Sequence, residues 1–100
     1  MTRIEFHPEA SREVDEAHAW YRQRSDVAAQ AFALDLDHAL DAIGRSPERW
    51  PITRHGERRF VLSKFPYSIV YRIRADDVFV TALAHQRRRP GYWRSRTSPA

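Results

Sequence analysis

Arg87-Arg88-Arg89, followed by Pro90-Gly91-Tyr92-Trp93, sets three guanidinium groups beside two aromatic rings near the end of the sequence. Guanidinium forks grip phosphate oxygens and aromatic rings stack on bases, so such a cluster suits a nucleic acid or another polyanion. The same rings can instead fold back to seal the edge of a sheet, leaving the arginines solvated or paired with acids of the helices. Residue types alone leave both readings open. Just ahead lies His85, the best-placed titratable group, because an imidazole can both give and take a proton near neutrality. Its structural alternative is a hydrogen bond to a neighbouring turn. His7, His18, His38 and His55 are scattered elsewhere, with no carboxylate or thiol at a recognised ligand spacing, so neither a metal site nor a cofactor is expected.

The charge is unevenly distributed. Residues 1 to 50 hold six Arg against ten Asp/Glu, or −4, whereas residues 51 to 100 hold eleven Lys/Arg against Glu57, Asp76 and Asp77, or +8. The net +4 of the chain therefore resides in its second half. A concentrated positive field speeds encounter with a polyanion or an acidic protein segment. There is no cysteine, which excludes disulfides and thiolate metal sites. Neither a signal core nor an apolar run of membrane-spanning length is seen, so a cytoplasmic location and no membrane partner are expected.

The elements that must position these groups follow from periodicity. Ile4 to His7 reads as a short strand, and Pro8-Glu9 opens a helix, with proline in the first turn where its missing N–H is harmless. Ala10, Val14, Ala17 and Tyr21 share one helical face, while Arg12, Glu13, Asp15 and Glu16 cover the other side. Ser25-Asp26 provides a turn and an N-cap for a second helix. Phe32, Leu36, Ala39, Leu40 and Ile43 line one side of it, Asp35, Asp37 and Asp41 the other, and Gly44 and Pro47 end it. Two helices so closely linked fold back as an antiparallel hairpin, with Trp20 and Trp50 expected in the core. After a Pro- and Gly-marked loop, Arg58 to Ser63, Tyr67 to Ile73 and Val78 to His85 read as three strands of an antiparallel meander. One sheet face packs on the hairpin. The opposite face is expected to stay open to a partner, with Arg72 on the same side as Ser68 and able to join Arg59. The fold class is α+β, with one domain over residues 1–96 and a frayed tail over 97–100.

This order of strand, helix hairpin and meander resembles the RelE/ParE toxin family, and three strings carry the likeness. Phe6-His7-Pro8-Glu9-Ala10 leading to Trp20-Tyr21 is similar to the opening of ParE-like proteins known as plasmid stabilisation factors. Phe65-Pro66-Tyr67-Ser68-Ile69-Val70-Tyr71-Arg72 resembles the central strand, and Ala84-His85-Gln86-Arg87-Arg88-Arg89-Pro90-Gly91-Tyr92-Trp93 the terminal stretch. The resemblance implies the toxin of a type II toxin–antitoxin system, held in a hetero-oligomer by an antitoxin and arresting growth on release. ParE-like members are associated with inhibition of DNA gyrase, and RelE-like members with cleavage of mRNA on the ribosome. Under the ribonuclease alternative, Arg59 and Arg87 would hold phosphate, and His85 or Tyr92 would transfer protons. Matching by the central strand, however, Ser68 stands where a strand Arg is expected and Val61 where a second base is expected. That departure favours the gyrase reading. In either case Arg59, Arg72, Arg87, Arg88, Arg89 and Trp93 are the expected contacts to target or phosphate. A scaffold without activity of its own is a third reading.

Overall fold

The computed structural model describes residues 2–96. It orders β1 (Ile4–Phe6), α1 (Pro8–Arg24), α2 (Asp26–Arg45), β2 (Arg58–Val61), β3 (Tyr67–Arg74) and β4 (Asp77–His85) along the chain. The sheet runs β1-β4-β3-β2, with the last three strands antiparallel as a meander and β1 added parallel to β4. The expectation of a frayed segment over 97–100 lies outside the described residues.

Local chemistry explains the element ends. His7 is not the last residue of β1 but the N-cap of α1, where its Nδ1 accepts from the Glu9 N–H at 3.0 Å. Ser25 serves both helices. Its backbone N–H closes α1 on the Tyr21 carbonyl at 2.8 Å, and its hydroxyl accepts from the Ala28 N–H at 3.2 Å to open α2. A one-residue link of this kind forces the antiparallel hairpin. Helix α2 continues past Gly44 to Arg45, because Ser46 supplies the cap expected of Gly44. The helix end at Gly44 lies alongside β1, where a Cβ would meet the Ile4 side chain at 3.6 Å, an ordinary contact. Strand β2 stops at Val61 rather than Ser63 because Asp35 captures Ser63 and Lys64, accepting from the Ser63 hydroxyl at 2.8 Å and the Lys64 N–H at 3.0 Å. Asp35 is therefore a buried loop anchor and not part of the solvated side of α2.

Between the hairpin and the sheet lies the main core, built on Phe32, Leu36, Ala39 and Ile43 of α2 and on Ile69, Tyr71, Val78, Val80 and Leu83 of the sheet. Strict alternation does not describe β4. Val70 pairs with Ala82 and Tyr71 with Val80, so Thr81 is an extra residue on β4, and its hydroxyl donates to the Val70 carbonyl at 3.1 Å. The bulge switches parity. Val78 and Val80 before it and Leu83 after it all reach the main core, while Ala82 and Ala84 turn to the opposite face.

Phe32 is 1% exposed, with the rings of Tyr21, Phe65 and Tyr67 at 5.3, 5.5 and 5.7 Å. Truncating it empties the centre of this aromatic group. Phe32→Ala is expected to cost about 3 to 5 kcal/mol in denaturant unfolding; a loss below about 1 kcal/mol would mean that the core is not organised around this ring.

Trp20 is corrected by the structure. Its ring is half exposed on α1, with the Arg24 guanidinium 3.5 Å from its centroid, so it is a surface residue and not a core one. Trp50 does pack on the main core, beside Phe60 at 4.7 Å.

Candidate target-binding surface

Past Phe6 the first strand gives way to α1, which leaves the edge of β4 from Thr81 onward without a strand neighbour. Unpaired edge groups need partners, and here side chains supply them. Glu13 of α1 accepts from the Leu83 N–H at 3.0 Å. Arg96 donates to the Thr81 carbonyl at 3.0 Å and forks onto both oxygens of Glu13, at 2.8 and 3.1 Å. The Tyr92 hydroxyl donates to the same carboxylate at 2.6 Å. Residues 86–96 are therefore tied to both the helix hairpin and the sheet.

A second tie lies on the sheet face away from the helices. Trp93, 5% exposed, packs against Val70, Ala82 and Ala84. Its indole N–H donates to Glu57 Oε2 at 2.6 Å. Glu57 is 1% exposed, with Arg94 and Arg72 nitrogens at 3.6 and 3.9 Å from its oxygens. This corrects the expectation of a fully open face. The chain's own C-terminal segment covers it around Val70, Ala82 and Ala84, because these small side chains leave a flat apolar seat that an indole fills. Trp93 is accordingly a packing residue, shielded from any partner while the segment is in place.

The remaining expected residues separate into groups. Arg87, Arg88 and Arg89 stand exposed on the turn after β4, with no ion pair among the described residues; Arg88 lies over the Tyr92 ring at 3.9 Å from its centroid. Arg59 is exposed on β2, opposite Val70, on the face that carries the C-terminal segment. Arg72 shares that face but is half-buried against Glu57. Val61 is 58% exposed and pairs with Ser68, which is buried. His85 accepts the Arg87 N–H on Nδ1 at 3.0 Å, and its ring meets Tyr67 edge-on at 5.0 Å. That bond shapes the turn presenting the three arginines. An open cavity of about 510 Å³ adjoins it, lined by Trp20, Tyr67, His85, Arg88 and Tyr92 among others.

Burial, followed by the hydrogen bond and the charge of Glu13, holds the Tyr92 phenol well above its ordinary range. Burial and then Tyr21 push Tyr67 up to about 12. The folded chain thus binds these protons more tightly than the unfolded chain does. The contribution of Tyr67 is complete below the ordinary phenol value of 10.0 and is lost as pH rises through about 12, and that of Tyr92 persists to still higher pH. Unfolding free energy is expected to fall across that window, less steeply in Tyr67→Phe; an unchanged slope in this variant would contradict the assignment.

Glu13 and Glu57 are the residues that sequence reasoning passes over. Composition groups Glu13 with the solvated acids of α1, although it lies three residues after Ala10 and four before Ala17, on the edge of the apolar stripe. Glu57 is the only Glu of the basic half. No local pattern announces its burial, which depends on Trp93 arriving from 36 residues away.

The fold is a short parallel strand, a helix hairpin and a meander, ending in a cationic turn braced by the C-terminal segment. The family described as ParE toxin of type II toxin-antitoxin system, parDE, matches residues 4–90, and the chain belongs to that family. Among solved structures the fold is similar to one described as "Chromosomal ParDE TA system from P. aeruginosa", with a TM-score of 0.72 and 16% identity over 85% of this chain and 96% of that one. No curated protein matches the chain. Among the described residues, no helix is long and apolar enough to cross a membrane.

Proposed function

We propose that this ParE-family toxin arrests growth by binding DNA gyrase, with the cationic turn Arg87-Arg88-Arg89 and Arg59 as the principal contacts and no chemistry of its own. One observation carries the reading: the second proton-transfer group is taken, since Glu13 holds the Tyr92 hydroxyl, and the further strand bases are missing. Attack by a 2′-hydroxyl requires a base, an acid and positive charge on the phosphate, all held in one place. Here His85 Nδ1 is taken by the Arg87 N–H, and the Tyr92 hydroxyl by Glu13. Ser68 is buried and Val61 is apolar where further bases are expected. What remains exposed is positive charge suited to contact.

An antitoxin is the natural partner, since the similar solved structure is titled as a ParDE system. An acidic, partly apolar segment that orders on binding fits the exposed arginines, and Val27 and Leu34 on α2, 75% and 58% exposed, offer apolar seats. Brief induction in cells, with plasmid supercoiling and new RNA 5′ ends followed in parallel, tests the target. Supercoiling is expected to fall while RNA ends stay unchanged. Codon-linked RNA ends with normal supercoiling would replace this reading with the ribonuclease alternative.

A further inference from the structure

At the end of the sheet face nearest the β3–β4 turn, the C-terminal segment and β3 enclose an open cavity of about 380 Å³, lined by Gly56, Ile73 and the arginines 72, 74, 94 and 96. Three of these guanidinium groups have a dedicated seat. Arg72 lies against Gly56, where a Cβ would come within 3.0 Å of its Nη1, and Gly56 has a φ of +82°. Arg94 lies against Gly91, whose φ of +83° suits glycine, so that a side chain there would push the guanidinium aside. Arg74 lies over the Phe79 ring, 4.4 Å from its centroid. Two of the chain's three glycines thus lie against guanidinium groups of one cavity.

These seats fix the arginines without using their donors. Among the described residues, no guanidinium N–H of Arg72, Arg74 or Arg94 donates a hydrogen bond to protein; Arg72 and Arg94 approach Glu57 only at 3.9 and 3.6 Å. Arg96 differs, being occupied by Glu13 and the Thr81 carbonyl. Arg72 and Arg94 therefore share one buried carboxylate, Arg74 beside them has no ion pair among the described residues, and the guanidinium N–H groups of all three stay unmatched. The complement is a compact oxyanion that takes several forks at once.

We propose that Arg72, Arg74 and Arg94 form a phosphate-binding site between β3 and the C-terminal segment. The site is distinct from the turn of residues 87–89 and independent of which target the toxin attacks. The phosphate belongs either to a free nucleotide or to a nucleic-acid backbone. Because Arg94 is on the terminal segment and Arg72 and Arg74 are on the sheet, a bound phosphate would also pin that segment down.

Calorimetric titration of the full chain, at ionic strength held constant with chloride, tests the proposal with inorganic phosphate, a nucleoside 5′-monophosphate and a short single-stranded DNA in turn. Saturable one-site binding of phosphate is expected, with a thermal midpoint that rises with phosphate. Arg74→Gln and Arg94→Gln should each weaken it about tenfold or more, as the loss of a charge-assisted bond implies. Arg74→Lys, a point charge in place of a fork, should also weaken it, whereas Arg22→Gln on α1 should not. Arg74 is exposed, so its variants test binding without disturbing the core, and circular dichroism verifies that they are folded. Tighter binding of the monophosphate than of DNA identifies a free nucleotide and the reverse a backbone, each in support of the site. Absence of saturable phosphate binding, or equal weakening by Arg22→Gln, would overturn it.

Discussion

Trp93→Ala is expected to lower stability by about 3 to 5 kcal/mol and to abolish growth arrest, although the residue lies beyond the last strand of the sheet. Two effects combine. The indole that covers Val70, Ala82 and Ala84 is removed, and Glu57 keeps its buried carboxylate without the indole donor at 2.6 Å. A buried acceptor left without its donor costs about 1 to 3 kcal/mol by itself. Trp93→Phe separates the two, because it retains most of the apolar cover and removes only the N–H. Denaturant unfolding with tryptic digestion of the C-terminal segment reads the result: the Ala variant should lose the segment early and the Phe variant should fall between Ala and wild type. Stability within about 1 kcal/mol of wild type for Trp93→Ala would mean that the segment contributes no packing.

The opposite pattern is expected when Arg87 and Arg88 are both changed to Ala: growth arrest disappears while the unfolding midpoint barely moves. Both side chains are exposed, and neither forms an ion pair among the described residues. Within the fold, Arg88 stacks over the Tyr92 ring, and an exposed pair of this kind contributes about 0.5 to 1 kcal/mol. A surface cation can nevertheless control encounter with an acidic partner and the life of the complex that results. Colony formation under induction, compared with thermal unfolding of the same variant, separates the two. Undiminished toxicity in a folded protein would remove the turn from the contact surface.

Helices and strands are legible in the sequence wherever a local rule decides them. The spacing of Ala10, Val14, Ala17 and Tyr21, the apolar run from Phe32 to Ile43, and the cap at Ser25 place the hairpin without knowledge of any tertiary contact. The meander follows from the β-rich runs and their short separations. The partner of β1 is not legible, because a three-residue strand pairs wherever a free edge is presented, and that edge belongs to β4, at the far end of the chain. Thr81 hides the parity change of β4, since a bulge has no composition of its own and alternation read across it assigns the wrong face.

The site is legible in type but not in arrangement. Clustered arginines and aromatics point to the segment after β4, yet the chain itself consumes part of that cluster. Tyr92 and Trp93 hold the segment down, Arg96 is neutralised by Glu13, and Arg87 to Arg89 stand exposed. Sequence spacing does not divide these roles, because the acids that decide them, Glu13 and Glu57, come from a helix and a loop far along the chain. The reserved positive charge is consequently narrower than the +8 of the second half suggests.

Titration of the purified toxin into a supercoiling assay with purified gyrase tests the proposed mode of action most directly. A protein that acts by contact should inhibit in proportion to the amount bound and saturate near stoichiometry, and the variant lacking Arg87 and Arg88 should leave the enzyme running. Full supercoiling in the presence of excess folded toxin would contradict the central claim.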